Sequence, residues 1–289
     1  MSQQPILGIL GGTGLYAMAG LEDQTEQQID TPFGAPSSPV ITGRLEGTPV
    51  AFIARHDLGH VLLPSELNYR ANIYALKMLG VERVLSVSAC GSLREDYAPG
   101  DIVVPDQLFD FTRKRKATFF GEGLAAHISV AKPFCPDFSA QVYGAVNDTG
   151  ARVHQGGTYI TVEGPRFSTR GESDVFRTWG MSIIGMTTAP EAFLALEAEM
   201  CYSVMAHVTD YDVWHTTQEP VSAEMVLKTI HQNMQIAGNA IRQLAASYRA
   251  ERDCDCPTAL GPALTSDPAR ISPETRQKLS LLVSKYLDR

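Results

Sequence analysis

The strongest constraint on this chain is an alternation. Short apolar runs of strand length end in glycine, small or hydroxylated residues, and stretches of helical periodicity separate several of them. Ile6-Leu7-Gly8-Ile9-Leu10 stops at Gly11-Gly12-Thr13-Gly14. Val50 to Arg55, Val81 to Ala89, Asp101 to Pro105, Gly157 to Val162, Met181 to Met186 and Tyr202 to Val208 read as further strands. Ser65 to Leu79 reads as a helix capped by Ser65 and stopped by Gly80. Gly171 to Trp179 and Pro190 to Met200 read as two more. From Ser222 the period is helical, with Leu227, Ile230, Met234, Ala237, Ile241 and Leu244 on one stripe. Strands alternating with helices predict an α/β fold with a mixed central β-sheet flanked by helices.

Residues 250–270 carry Cys, Pro, Asp and Gly with little apolar period, so they read as a loop. A last helix starts at Ser272, with Pro273 at its first position and Leu279, Leu282 and Val283 on its apolar face. The expected organisation is one domain over 1–249 and a C-terminal loop and helix over 250–289. That extension is expected to pack on the same domain or on a neighbouring subunit.

The 289 residues hold 24 Lys+Arg against 32 Asp+Glu, a net charge of −8. That balance argues against a nucleic-acid partner, because a phosphate backbone needs clustered cations. A small anion needs only a few local donors and remains open. No apolar run approaches the roughly 20 residues of a membrane span. Met1 to Pro5 lacks a basic n-region, so the expected location is cytoplasmic.

Five cysteines are present. Cys90, Cys135 and Cys201 sit in apolar or mixed segments and read as small buried hydrophobes. Cys254 and Cys256 form a C-x-C in a polar stretch. They read as two surface thiols or as a redox pair or strained disulfide; no further Cys or His is close in sequence, so no metal site is expected.

The chemistry-bearing residues cluster at strand ends. Gly11 to Gly14 can turn backbone N–H groups towards an anion, and Thr13 adds a hydroxyl. The same stretch matches a dinucleotide fingerprint, with Asp30 near the ribose position, but Ala17 to Glu22 makes a poor crossover helix. Arg55-His56 can hold phosphate oxygens. His56 and His60 are four apart, but Asp57-Leu58-Gly59 between them is not helical, so no metal is expected there either. Ala89-Cys90-Gly91-Ser92 permits close approach to the backbone. In Thr209-Asp210-Tyr211-Asp212, Asp210 reads either as a turn cap or as an acid whose pKa is raised by burial and by Asp212. Together these edges suit an anionic co-substrate beside a polar heterocycle.

Ten motifs then occur in order. Among them are Gly11-Gly12-Thr13-Gly14-Leu15, Asn68-Tyr69-Arg70-Ala71-Asn72, Glu163-Gly164-Pro165-Arg166-Phe167, Met186-Thr187-Thr188 and Thr209-Asp210-Tyr211-Asp212. By these, residues 6 to 245 resemble the trimeric purine nucleoside phosphorylase family, and within it the methylthioadenosine phosphorylases. The resemblance implies phosphorolysis of 5′-methylthioadenosine to adenine and 5-methylthioribose 1-phosphate, with methylthioinosine or purine nucleosides generally as the alternative. It implies no cofactor beyond the phosphate co-substrate. It assigns Thr13, Arg55, His56, Ser88 and Thr187 to phosphate. Ala89, Phe167, Met186 and Thr209 line the nucleoside site, with Phe167 on the base and Met186 at the ribose hydroxyls. Asp210 would serve N7 of the purine and Asp212 its 6-amino group. Ala223, Val226 and Leu227 would form the apolar wall for the 5′ group. His127 would reach a neighbouring subunit's site, which implies a homotrimer. A nicotinamide oxidoreductase and a non-catalytic nucleoside sensor are the readings from other classes.

Overall fold

The computed structural model describes residues 6–12, 20–215 and 223–287. The chain opens with β1 (Leu7–Gly11), β2 (Leu21–Gln27), β3 (Val40–Leu45), β4 (Thr48–Ala54) and α1 (Tyr69–Met78). Next come β5 (Arg83–Ser92), β6 (Ile102–Val104), β7 (Gln107–Phe111) and α2 (Pro136–Asn147). β8 (Val153–Gln155) and β9 (Thr158–Val162) lead to α3 (Arg170–Thr178), β10 (Ile183–Gly185), α4 (Thr188–Glu197) and β11 (Cys201–Asp210). The long α5 (Ala223–Ala246) and the final α6 (Pro273–Leu287) follow, with three short 3-10 turns between them.

Local chemistry sets the boundaries. α1 begins at Tyr69, not near Ser65, because the Asn68 side chain accepts from the Ala71 N–H at 3.2 Å. In α4, Ala189 is extended, so the regular helix opens at Pro190, the position proline favours. Thr169 and Glu172 close a capping box at the start of α3. β2 is mostly exposed and lies at a sheet edge, so it carries no core-facing alternation.

The sheet is mixed. β1 lies between β4 and β5 and is parallel to both, while β2 and β3 extend the β4 side antiparallel. β5 continues in parallel to β11 on its other edge and meets β10 antiparallel at its far end. β10, β9 and β7 follow in parallel, and β6 and β8 extend from β11. β2 pairs with β3 and not with β1, so no dinucleotide-type strand–helix–strand unit starts at β1.

The period of two along each strand divides the core into two faces. Leu10, Val84, Val204 and Val208 pack with α1, α4 and α6. Leu7, Ile9, Leu85 and Met205 pack with α2 and α5. The C-terminal segment therefore lies on its own chain's sheet. Leu279, Leu282 and Val283 are buried, and the Tyr74 hydroxyl donates to the Lys278 carbonyl at 3.2 Å. Lys285 and Tyr286 both bind Glu199 at the end of α4. Among the described residues no helix is long and apolar enough to cross a membrane.

Candidate active site

A cavity of about 470 Å³ opens where the sheet divides. β5 pairs with β1 only as far as Ser86 and with β10 only from Gly91. Among the described residues no strand pairs with Val87, Ser88, Ala89 and Cys90 on that edge, and all four line the cavity. On the other edge of β5 the ladder slips: Val208 faces Cys90, but Asp210 faces Gly91. The extra residue is Thr209, and such a bulge re-aims the side chains around it.

The bulge builds an acidic corner. Asp210 and Asp212 are both buried. The Asp210 carboxyl accepts from the Thr209 hydroxyl at 2.6 Å and from the Asp212 backbone N–H at 2.7 Å. Burial pushes its pKa up to about 6, with the Asp212 charge adding to the rise and the two hydrogen bonds opposing it. Asp212 is raised too, mainly by burial, and its Oδ2 has no hydrogen-bond partner. Gly91 makes this closeness feasible: a Cβ there would stand 3.0 Å from Asp210 Oδ1 and 3.1 Å from Ile184 Cγ2.

The opposite corner gathers donors. Arg55 is fully buried and grips Glu191 through Nε at 2.5 Å and Nη2 at 3.1 Å. It also donates to Ser86 Oγ and to the Leu10 and Val87 carbonyls. Those contacts use every N–H of the guanidinium except one on Nη1. Burial opposes its charge, but Glu191 outweighs this and holds Arg55 protonated. His56 Nδ1 lies 2.8 Å from the Leu62 carbonyl, so that nitrogen must carry the hydrogen. Burial and the Arg55 charge lower its pKa to about 4, leaving a neutral ring with Nε2 as an acceptor. Ser88 Oγ is buried without a partner. Thr187 is buried ahead of α4, and its hydroxyl caps nothing in the helix.

Loops from β9 and β10 roof the cavity. Arg115 holds them through Glu163 Oε1 at 3.1 Å, the Met186 carbonyl at 2.6 Å and the Ala189 carbonyl at 2.7 Å. Gly164 has φ +67°, and a Cβ there would meet Met186 Sδ at 2.7 Å. Phe167, 38% exposed, is an aromatic face at the rim. Residues 6–248 of the chain match the Phosphorylase superfamily.

The chain belongs to that superfamily. It is 50% identical over 285 residues to an S-methyl-5'-thioadenosine phosphorylase of Geobacter sulfurreducens, covering 98% of this chain and all of the relative. It is 50% identical over 262 residues to an enzyme of the same name from Hyperthermus butylicus, covering 89% and 95%. Its fold superposes with a TM-score of 0.92 on a methylthioadenosine phosphorylase from an Antarctic soil metagenomic library, at 43% identity, covering 97% and 100%. The methylthioadenosine phosphorylase of Schistosoma mansoni, solved with adenine, matches with a TM-score of 0.82 at 32% identity, covering 99% and 100%.

In this superfamily member the strand-end residues do converge. Arg55, His56, Ser88 and Thr187 line the donor side; Thr209, Asp210 and Asp212 line the acidic side; Ala89, Phe167 and Met186 lie on the same wall system. Thr13 and the side chains of Ala223, Val226 and Leu227 lie outside the described residues. His127 is exposed and is not on the cavity wall; its N–H donates to the Ala263 carbonyl at 2.8 Å. Sequence reasoning missed His207, which is buried on β11, lines the cavity, and has no partner among the described residues for either ring nitrogen. Burial lowers its pKa to about 4. A histidine inside an apolar strand was the available signal. It also missed Arg115, whose role depends on loops distant in sequence.

Proposed function

We propose that this chain catalyses phosphorolysis of 5′-methylthioadenosine to adenine and 5-methylthioribose 1-phosphate. One observation carries the reading: a buried acid pair and a corner of unspent donors face one cavity from opposite edges of β5. Phosphate sits against Ser88, Thr187 and the Arg55 Nη1 hydrogen left without a partner among the described residues, and the family resemblance adds Thr13 to its ligands. His56 Nε2 accepts from a P–OH group. A phosphate oxygen attacks C1′ of the ribose while the C1′–N9 bond breaks and its electron pair moves into the purine. Asp210 supplies the proton or hydrogen bond at N7 that makes adenine a neutral leaving group. Asp212 accepts from the 6-amino group, Phe167 stacks on the base, and Met186 contacts the ribose hydroxyls. Side chains and the phosphate co-substrate suffice for this chemistry.

The test is kcat/KM with phosphate for 5′-methylthioadenosine, methylthioinosine and adenosine. Methylthioadenosine is expected to exceed methylthioinosine by about 10²-fold or more, because a site built around a 6-amino acceptor leaves buried groups unpaired with a 6-oxo purine. A clear preference for methylthioinosine overturns the roles of Asp210 and Asp212. A broader purine specificity is the second reading, and His207 favours it. It stands on the α5 side of β11 with neither nitrogen partnered among the described residues, so the cavity can answer a 5′-hydroxyl as well as a thioether. Comparable kcat/KM values for adenosine and methylthioadenosine would select that reading.

We further infer a cytoplasmic homotrimer in which His127 serves a neighbouring subunit. The family resemblance supports this, and His127 is exposed and not part of the lining of its own cavity. Sedimentation at the mass of three chains is the expected result, with a raised nucleoside KM for His127→Ala. A fully active monomer overturns it.

A further inference from the structure

Cys135, Cys201, Cys254 and Cys256 are scattered along the sequence, yet their Sγ atoms all lie within 4.8 Å of one another. Cys135 is the N-cap of α2, Cys201 opens β11, and the other two come from the loop after α5. Cys135, Cys201 and Cys256 are buried and Cys254 is half-buried, so the two thiols of the C-x-C are not both at the surface. Cys201 Sγ and Cys254 Sγ stand 3.5 Å apart.

A tetrahedral zinc ion with Zn–S bonds of about 2.3 Å holds its sulfurs about 3.8 Å apart. The cluster has that size. All four are free thiols, and the Cys201–Cys254 separation of 3.5 Å is well beyond the roughly 2.05 Å of a disulfide bond. The surroundings suit bound thiolates. The Phe138 N–H at the first turn of α2 points to Cys135 Sγ at 3.5 Å. Arg83 is the register partner of Cys201 across β5 and β11, so its side chain leaves the same face of the sheet. It is fully buried, and its Nε has no hydrogen-bond partner. A divalent ion with four thiolates carries two negative charges, and a buried permanent cation offsets part of them.

We infer that these four cysteines form a closed structural site for a thiophilic divalent metal, with Zn²⁺ as its ion. On binding, each thiol releases its proton to solvent. All four ligand positions come from protein sulfur, as in zinc sites that hold a fold together. The ion would tie the segment after α5 to the start of α2 and the start of β11. None of the four cysteines lines the cavity, so the site is separate from turnover.

The full-length chain purified from zinc-supplemented cells is assayed by elemental analysis. About one zinc per chain is expected, with four thiols shielded from alkylation until chelator and denaturant are added. Cobalt loaded in place of zinc is expected to give thiolate-to-cobalt charge-transfer bands and the visible bands of a tetrahedral ion. Cys254→Ser is expected to weaken zinc retention at least about tenfold and to leave phosphorolysis unchanged. If that variant does not fold, the cobalt spectrum of the unaltered chain still decides. Substoichiometric zinc with four freely alkylated thiols overturns the inference. So does an intact mass lower by four hydrogens, which marks two disulfides.

Discussion

Asp210→Asn is expected to lower kcat/KM for 5′-methylthioadenosine by about 10²–10³-fold, the usual scale for losing a positioned proton donor. The loss on 6-oxo nucleosides is expected to be much smaller. An amide at 210 can still donate to N7, but it cannot deliver a proton to the leaving adenine. Equal losses on both classes would make Asp210 structural. The pH dependence adds an independent sign. Asp210 in the free protein titrates at about 6, raised by burial and Asp212. Its acid form is therefore depleted above pH 6, and kcat/KM should fall there in the parent and lose that limb in the variant. Stability falls over the same pH range, but for the variant the sign is opposite, a gain where activity is lost. A carboxyl whose folded pKa is raised costs nothing below its unfolded pKa near 3.8, and stability is lost as pH rises through about 6. The shift bounds this cost at about 3 kcal/mol. The variant should therefore melt higher than the parent at pH 8 and equally at pH 3.5. An unchanged difference across that range would remove Asp210 as a buried titrating group.

Glu191→Ala is expected to give the largest loss of stability in the site. Arg55 and Glu191 are both essentially inaccessible to solvent, and the pair is bidentate. Tyr202 also donates to Glu191 at 2.8 Å. Removing the carboxylate leaves a buried guanidinium without its counter-charge, which costs about 3–5 kcal/mol. For a domain of this size that is a fall in melting temperature of about 10 °C. The KM for phosphate should rise more than the KM for nucleoside if, as proposed, the side of the cavity that Arg55 lines is the one that holds phosphate. The double variant Arg55→Met, Glu191→Leu distinguishes the two effects. It should recover much of the stability, since an apolar pair can replace a buried ion pair, and it should not recover phosphate affinity. A melting temperature within about 2 °C of the parent for Glu191→Ala would show that Arg55 has another route to compensation.

Much of this was legible before the fold. Local period and turn chemistry marked β1, β4, β5, β9, β10, β11 and the long α5, because their signals lie within a few residues of one another. The strand-end rule then named most of the residues now found on one cavity wall. Arg55-His56 and Thr209 to Asp212 stood out as charged or hydroxylated residues that end apolar runs. The edge strand β2 and its neighbour β3 did not, since half-solvated strands carry little alternation. Nor did Asn68 as the cap of α1, because Ser65 offers an equally good capping side chain three positions too early.

By itself the sequence determined the fold class, the order of the strands along the chain and the kinds of residue at their ends. Tertiary structure alone decided three things. It opened the β5 edge at Val87 to Cys90, because β1 and β10 pair with different ends of one strand. It showed that most of the Arg55 guanidinium is held by protein acceptors, among them Glu191, a residue 136 positions away. It also brought Cys135 and Cys201 to a C-x-C that looked isolated. Each depends on contacts between distant segments, and those contacts form only when the two faces of the sheet are covered. Local spacing cannot encode them, because it carries no information about which edge of a strand is paired or what crosses it.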